Sequence, residues 1–316
     1  MTELIFNADD FGTSPSVNRS IVCCAQAGLL TSASVMVTHS AAGEAVRLND
    51  ALSQPLRLGL HFCLTSGRAC APAETIPLLA NADGSFRHGF LSLARLLNSS
   101  YRSSAAAQIS IELQAQYARF EELLAQAPRT KADHLDSHQH IHVFPLLRER
   151  FQALAQEKNL TMRVPSEPVV SWLRRLRAPF LFHVKGILKK GILDHCLYRC
   201  GAPLYAMPQS PIYFGIIDSG RMNFDAVTAI LDTLPVLTKR KGFQNRQVEI
   251  NIHPWRIAGE NGIVPESASA ADRRFGTSPQ REEEFNLLTK QNPQIRAKMS
   301  DLGITISHFK PPVWNR

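Results

Sequence analysis

Leu4-Ile5-Phe6-Asn7-Ala8-Asp9-Asp10-Phe11-Gly12-Thr13-Ser14-Pro15 is the stretch that decides the fold. Its three leading apolar residues form a short strand-like run that stops at Asn7-Ala8-Asp9-Asp10. After Gly12, Ser14 supplies an N-cap oxygen and Pro15 a first-turn residue that needs no amide partner. Val17, Ile21 and Ala25 then recur at helical spacing, and Gly28 stands where a left-handed C-cap belongs. The unit reads strand, loop, helix, with two carboxylates where the strand ends.

The alternation continues outward. Ala33 to Val37 reads as strand, Ala41 to Leu52 as helix and Leu56 to Phe62 as strand, before a long loop carrying Pro72 and Pro77. Ile109, Leu113, Tyr117 and Phe120 line one face of a helix expected over Ala105 to Leu124, and the segment Ala132 to Asp136 follows. Helix is expected again over Leu146 to Glu157, Phe224 to Leu234 and Phe285 to Lys290. Strand is expected over Leu160 to Val164, Val248 to Ile252 and Ile304 to Ile306. Strands alternating with helices imply an α/β protein built on a parallel sheet, open or closed into a barrel.

At 316 residues, 44% hydrophobic and 20% charged, the chain is large enough for one barrel domain and too apolar for disorder. A net charge of +8 favours an anionic partner without choosing among nucleic acid, membrane surface and acidic substrate. No apolar run is long enough to span a bilayer, and the first residues lack a basic leader, so a cytoplasmic protein is expected. Cys23, Cys24, Cys63, Cys70, Cys196 and Cys200 form no paired CxxC motif and read as free or buried thiols.

Residues 168–220 read as an insertion within a single 1–316 domain. Between Trp172 and Arg199 it carries Arg174, Arg175, Arg177, Lys185, Lys189 and Lys190 among apolar residues, against Asp194 alone. Two readings stay open for it: a segment lying peripherally on an anionic membrane, or a helix packed on the barrel with a solvated basic face. Nucleic acid is disfavoured because no recognition motif surrounds these residues.

The chemistry gathers at the expected strand ends. Asp9 and Asp10 end the first, His61 the third, and Asp133-His134-Leu135-Asp136-Ser137-His138-Gln139-His140-Ile141-His142 follows; Arg163 and His253 close two later strands. In parallel barrels these ends converge on the active site. A carboxylate with two imidazoles suits a divalent catalytic metal with a position left for water, and adjacent aspartates offer one ligand and one base. Of the clustered histidines, one or two would bind metal and the rest orient substrate or a carboxylate such as Asp136. If that run is extended, His138, His140 and His142 share a side; if helical, His134 and His138 align. His140, His142 and Arg163 are the candidates for substrate contact.

Four blocks carry a family likeness: Asn7 to Gly12, Gly59-Leu60-His61-Phe62, His134 to His142, and His253-Pro254. Together they resemble the YdjC-like carbohydrate deacetylases, which include the bacterial chitooligosaccharide deacetylases. The resemblance implies a distorted (β/α) TIM-like barrel, one divalent metal (magnesium or zinc) on Asp10, His61 and His138, Asp9 as general base and His253 as general acid. The substrate it implies is an N-acetylated glycan or glycolipid. Thr31 to Ser34, Asn81 to Phe86 and Gly215 to Met222 are similar to the hopanoid biosynthesis-associated HpnK branch, which implies an N-acetylglucosaminyl group on a hopanoid lipid. Soluble chitooligosaccharides are the alternative substrate; a different metallohydrolase and a non-catalytic lipid-binding protein are the rival functions.

Overall fold

The computed structural model describes residues 2–168, 180–199, 210–256 and 279–312, with only the backbone described over 180–185. Thr2–Phe11 forms β1, followed by α1 (Pro15–Ala27), β2 (Ser32–Val35), α2 (Ala42–Asp50) and β3 (Arg57–Phe62). Next come α3 (Phe90–Leu96), α4 (Arg102–Ala125), β4 (Ala132–Ser137), α5 (Pro145–Glu157), β5 (Thr161–Met162) and α6 (Phe180–Arg199). The chain continues through β6 (Ile212–Phe214), α7 (Phe224–Leu237), β7 (Val248–Ile252), α8 (Pro279–Thr289), α9 (Asn292–Asp301) and β8 (Ile304–Ile306).

All ladders are parallel, in the order β5-β4-β3-β2-β1-β7-β6, with β8 paired to the first residues of β1. The sheet curls into a barrel-like wall with a seam between β5 and β6. Among the described residues no ladder closes that seam, but Ser210 Oγ donates across it to Met162 O at 2.9 Å. β1 lies at the centre, buried from Leu4 to Phe11, as a parallel strand covered on both faces must be.

α1 starts and stops as its sequence dictates. Ser14 Oγ accepts from Val17 N, Pro15 opens the first turn, and Gly28 ends it at φ 90° with its N–H on Ala25 O. β1 runs further than its apolar residues promise, because the barrel interior satisfies its polar ones: Asn7 Nδ2 donates to Asp9 Oδ1 and Ser34 Oγ. β5 is shorter than expected. α3, α9 and β6 were not anticipated; β6 has only three residues, too few to show a period.

Gly59 on β3 is required by its neighbour. The His134 ring, held by Asp133 Oδ1 at 2.7 Å and Ser34 Oγ at 3.0 Å, lies where a Cβ on Gly59 would come within 2.2 Å of its Nε2. Gly59→Ala is therefore expected to lower stability by about 2–3 kcal/mol through overpacking, read as a drop in the urea midpoint. An unchanged midpoint would mean that the His134 ring moves aside freely.

Candidate active site

Strand ends bring the sequence-distant groups together. Successive strand residues normally face opposite sides of a sheet, yet both aspartates reach one imidazole: His61 Nε2 lies 4.0 Å from Asp9 Oδ2 and 3.7 Å from Asp10 Oδ1. The backbone makes this possible, since Asp10 takes a left-handed φ of 68° and the β1–β2 register shifts between Ala8 and Phe11.

Asp10 Oδ1 is buried without a hydrogen bond, 3.3 Å from His138 Nδ1. Its other oxygen accepts from the Arg281 guanidinium at 3.3 and 3.4 Å. His61 Nδ1 is 2.7 Å from Asp136 Oδ1, which fixes the ring and leaves Nε2 turned toward Asp10. Donor atoms of Asp10, His61 and His138 all lie within 4.8 Å of one another, so they fit a metal ion. The electrostatics ask for positive charge there. Burial lowers the His61 pKa, but the carboxylates of Asp136, Asp9 and Asp10 outweigh it and push the value up to about 9. Asp9, His61 and Asp136 form a second close group, but the Arg163 guanidinium bridges its two carboxylates and already supplies a cation.

Arg163 is only 1% exposed. It grips Asp9 through two bonds of 2.9 and 3.0 Å, reaches Asp136 at 2.6 Å and Glu249 at 2.6 Å, and lies over the Tyr213 ring. Asn7 and Asn251 add bonds of 2.9 and 2.8 Å to Asp9. Burial would raise the Asp9 pKa, but the charges of Arg163, His61 and His253 hold it below the usual carboxylate range. With its guanidinium spent on three carboxylates, the arginine sits behind the reacting face instead of on it.

Glu249 behaves oppositely: burial lifts it from 4.5 to about 7, against the pull of Arg163 and with the help of Asp136 and Asp9. A raised carboxyl gives stability that is fully present below its unfolded value and lost as pH climbs through its folded one. Glu249→Gln keeps an acceptor for Arg163 without the ionisation. The stability difference is thus expected to move in favour of the variant between pH 4.5 and 7, by on the order of 3 kcal/mol. Melts of both proteins across that range check it, and a constant difference would sink it.

His253 follows β7, with Nε2 3.8 Å from Asp9 Oδ2. Glu284 on α8 sits behind it, accepting from His253 N at 2.5 Å and lying 3.9 Å from His253 Nδ1. Burial lowers His253 to about 4 and raises Glu284 to about 7.

The histidine run is extended as far as Ser137 and then kinks. Residues 138–143 form a tight turn in which Gln139 and His140 take φ of 57° and 58°, so its imidazoles part company. His138 joins Asp10, while His140 is buried against the edge of Tyr213 with Nδ1 unpartnered. His142 uses both nitrogens internally, at 2.6 Å from Ser137 Oγ and 2.9 Å from Arg163 O. Of the three candidates for substrate contact, then, Arg163 and His142 are engaged within the protein and His140 alone keeps a free ring nitrogen.

Sequence reading missed Glu249 and Asn251, although a signal existed. Glu249, Asn251 and His253 alternate with Val248, Ile250 and Ile252, which puts the three polar residues on one face of β7. Arg281 and Glu284 gave none, since Arg-Glu-Glu-Glu on a helix reads as a solvated surface. Much of the expected insertion, residues 169–179 and 200–209, lies outside the described residues, as does Cys200.

A family model described as YdjC-like protein matches residues 3–299. A chitooligosaccharide deacetylase of Proteus mirabilis (strain HI4320) is 37% identical over 161 residues, or 51% of this chain and 58% of that relative. The match therefore spans less than two thirds of the relative's length. A crystal structure from Enterococcus faecalis V583, described as that of a candidate cellobiose-phosphate cleavage protein, aligns with a TM-score of 0.66 over 98% of this chain and 97% of its own. At 21% identity that likeness speaks to the fold alone.

Proposed function

The chain belongs to the YdjC-like protein family, and from that premise we propose that it hydrolyses the acetamide of an N-acetylated amino sugar, releasing acetate and the free amine. The observation that carries the reading is the Asp10, His61 and His138 donor group with Asp9 and His253 beside it. Asp10, His61 and His138 would hold the ion; nitrogen donors favour zinc over magnesium. A divalent ion supplies Lewis acidity, polarising a carbonyl and making water a stronger acid.

The protein's own groups then divide the proton work. Asp9 stays ionised because Arg163 holds it, which keeps it ready but makes it a weak base, so the water it deprotonates must already be acidified. Asp9 Oδ2 is the receiving atom, held by Arg163 and Asn251 while Asn7 holds Oδ1. His253 Nε2, 3.8 Å away, is placed to take that proton and pass it to the departing nitrogen, and an imidazole held near 4 gives a proton up readily. His140 is the substrate contact we retain; Arg163 and His142 position other groups.

We take the whole chain as one catalytic unit with residues 168–220 inserted in it. For the acceptor we propose a hopanoid-type lipid, on the blocks Thr31 to Ser34, Asn81 to Phe86 and Gly215 to Met222. Soluble chitooligosaccharide is the second reading, favoured by the name of the Proteus relative. The test is acetate release by the metal-loaded protein from N-acetylated chitooligosaccharides, alongside mass spectrometry of total lipid from cells with and without the protein. Loss of an acetyl group from a glycosylated hopanoid supports the first acceptor, and acetate from the oligosaccharide supports the second. Release of phosphate or reducing sugar instead, with no acetate, would overturn the reaction class.

A further inference from the structure

α6 has two unlike faces. At about 100° per residue, Gly186, Lys189, Lys190, Leu193 and Leu197 fall on one arc. That arc faces the protein: the Gly186 backbone abuts Ile217, and Leu193 and Leu197 pack with Val143, Tyr213 and Ile216. Lys190 is buried in an ion pair with Asp194. Lys189 is half-buried, and its charge is felt by Asp9, His140 and His253, so this face borders the catalytic groups.

The opposite arc is exposed from Ile187 to Arg199, and it is mostly apolar. Ile187 is 39% exposed, Leu188 65%, Ile192 46% and Tyr198 73%, within an arc of about 140°. These are four of the eight large exposed apolar side chains among the described residues, gathered on one helix. Gly191, His195 and Arg199 complete the exposed arc, with no acidic residue on it. The arrangement reverses the solvated basic face left open by the sequence, since the described lysines turn inward and the apolar residues outward. An isolated exposed leucine needs no explanation; a patch of this kind marks an interaction surface.

We propose that this face of α6 docks on an anionic lipid bilayer. Charge selects this occupant. Arg199 lies on the exposed arc itself, no acidic residue does, and the chain carries a net +8. An exposed apolar helix face that carries a basic residue and no acidic one suits the plane of an anionic interface. Among the described residues no helix is long and apolar enough to cross a membrane, so the contact is peripheral. Attachment through this face does not depend on which reaction the site performs.

The test uses the full-length protein and co-sedimentation with vesicles of phosphatidylcholine mixed with phosphatidylglycerol, or of phosphatidylcholine alone. The wild type is expected to pellet with the anionic vesicles, less so as salt rises, and to stay largely in solution with the neutral ones. Leu188→Asp combined with Ile192→Asp is expected to cut the bound fraction about tenfold, with circular dichroism and metal content unchanged. Arg199→Gln, which leaves the apolar face intact, should weaken binding to anionic vesicles by a smaller factor. A wild type that ignores both vesicles, or a double variant that folds and binds as the wild type does, would overturn the proposal. So would a wild-type dimer in light scattering that the double variant splits, because a second copy would then own the face.

Discussion

Asp9→Asn is expected to hold one equivalent of metal and to lose about 10²–10⁴-fold in kcat, the range that positioned acid–base groups contribute. Asp9 Oδ2 is 4.0 Å from His61 Nε2 and both Asp9 oxygens are taken by Arg163, Asn251 and Asn7, so the carboxylate is outside the Asp10 donor group. An asparagine still accepts from Arg163 through its oxygen but takes no proton from water, and its amide faces donors where it once offered an acceptor. Some stability is lost with it, so a urea midpoint must accompany the rate. Turnover within a few-fold of the wild type would remove Asp9 as the base, and loss of metal would make it a ligand.

Asp10→Asn is expected to do the converse. Asn tolerates the left-handed φ of 68°, so the backbone survives, but the one buried oxygen aimed at His138 and His61 loses its charge. Metal affinity should fall by more than about a hundredfold, beyond the 10–100-fold carried by groups that only orient ligands, and activity should fall with it. His138→Ala should lose the ion likewise. His142→Ala is the control: its ring nitrogens are spent on Ser137 and Arg163 O, so the variant should keep the ion. Elemental analysis after dialysis decides among them, and an Asp10→Asn protein that retains one tightly held equivalent would refute the donor group.

The alternation of strands and helices was legible because buried parallel strands and amphipathic helices leave periodic apolar residues. Val248 to Ile252 and the Ser14–Gly28 frame of α1 match the expected bounds closely. β6 escaped because three residues carry no period, whereas β5 lies inside the expected Leu160 to Val164 but keeps only Thr161 and Met162. Within the site, residues at strand ends could be found from their position in the chain. The turn at Gln139 and His140 could not, since left-handed backbone at residues other than glycine leaves no mark in composition. Arg281 and Glu284 escaped for a related reason: tertiary packing alone turns two charges of a polar helix toward Asp10 and His253.

The central place of β1 has a consequence for how the molecule is made. This strand carries both aspartates, yet one flank is covered only by β7, where Ile5 pairs with Glu249, and its first residues wait for β8. During synthesis at about 5–20 residues per second, roughly 12–50 s separate the two halves of that pairing. Through that interval an apolar edge has left the ribosome without its partner, and such long-range closure is slow even afterwards. Nascent chains of this protein should depend on chaperones, and a chain stalled before residue 248 should be unable to assemble the strand that bears its catalytic carboxylates.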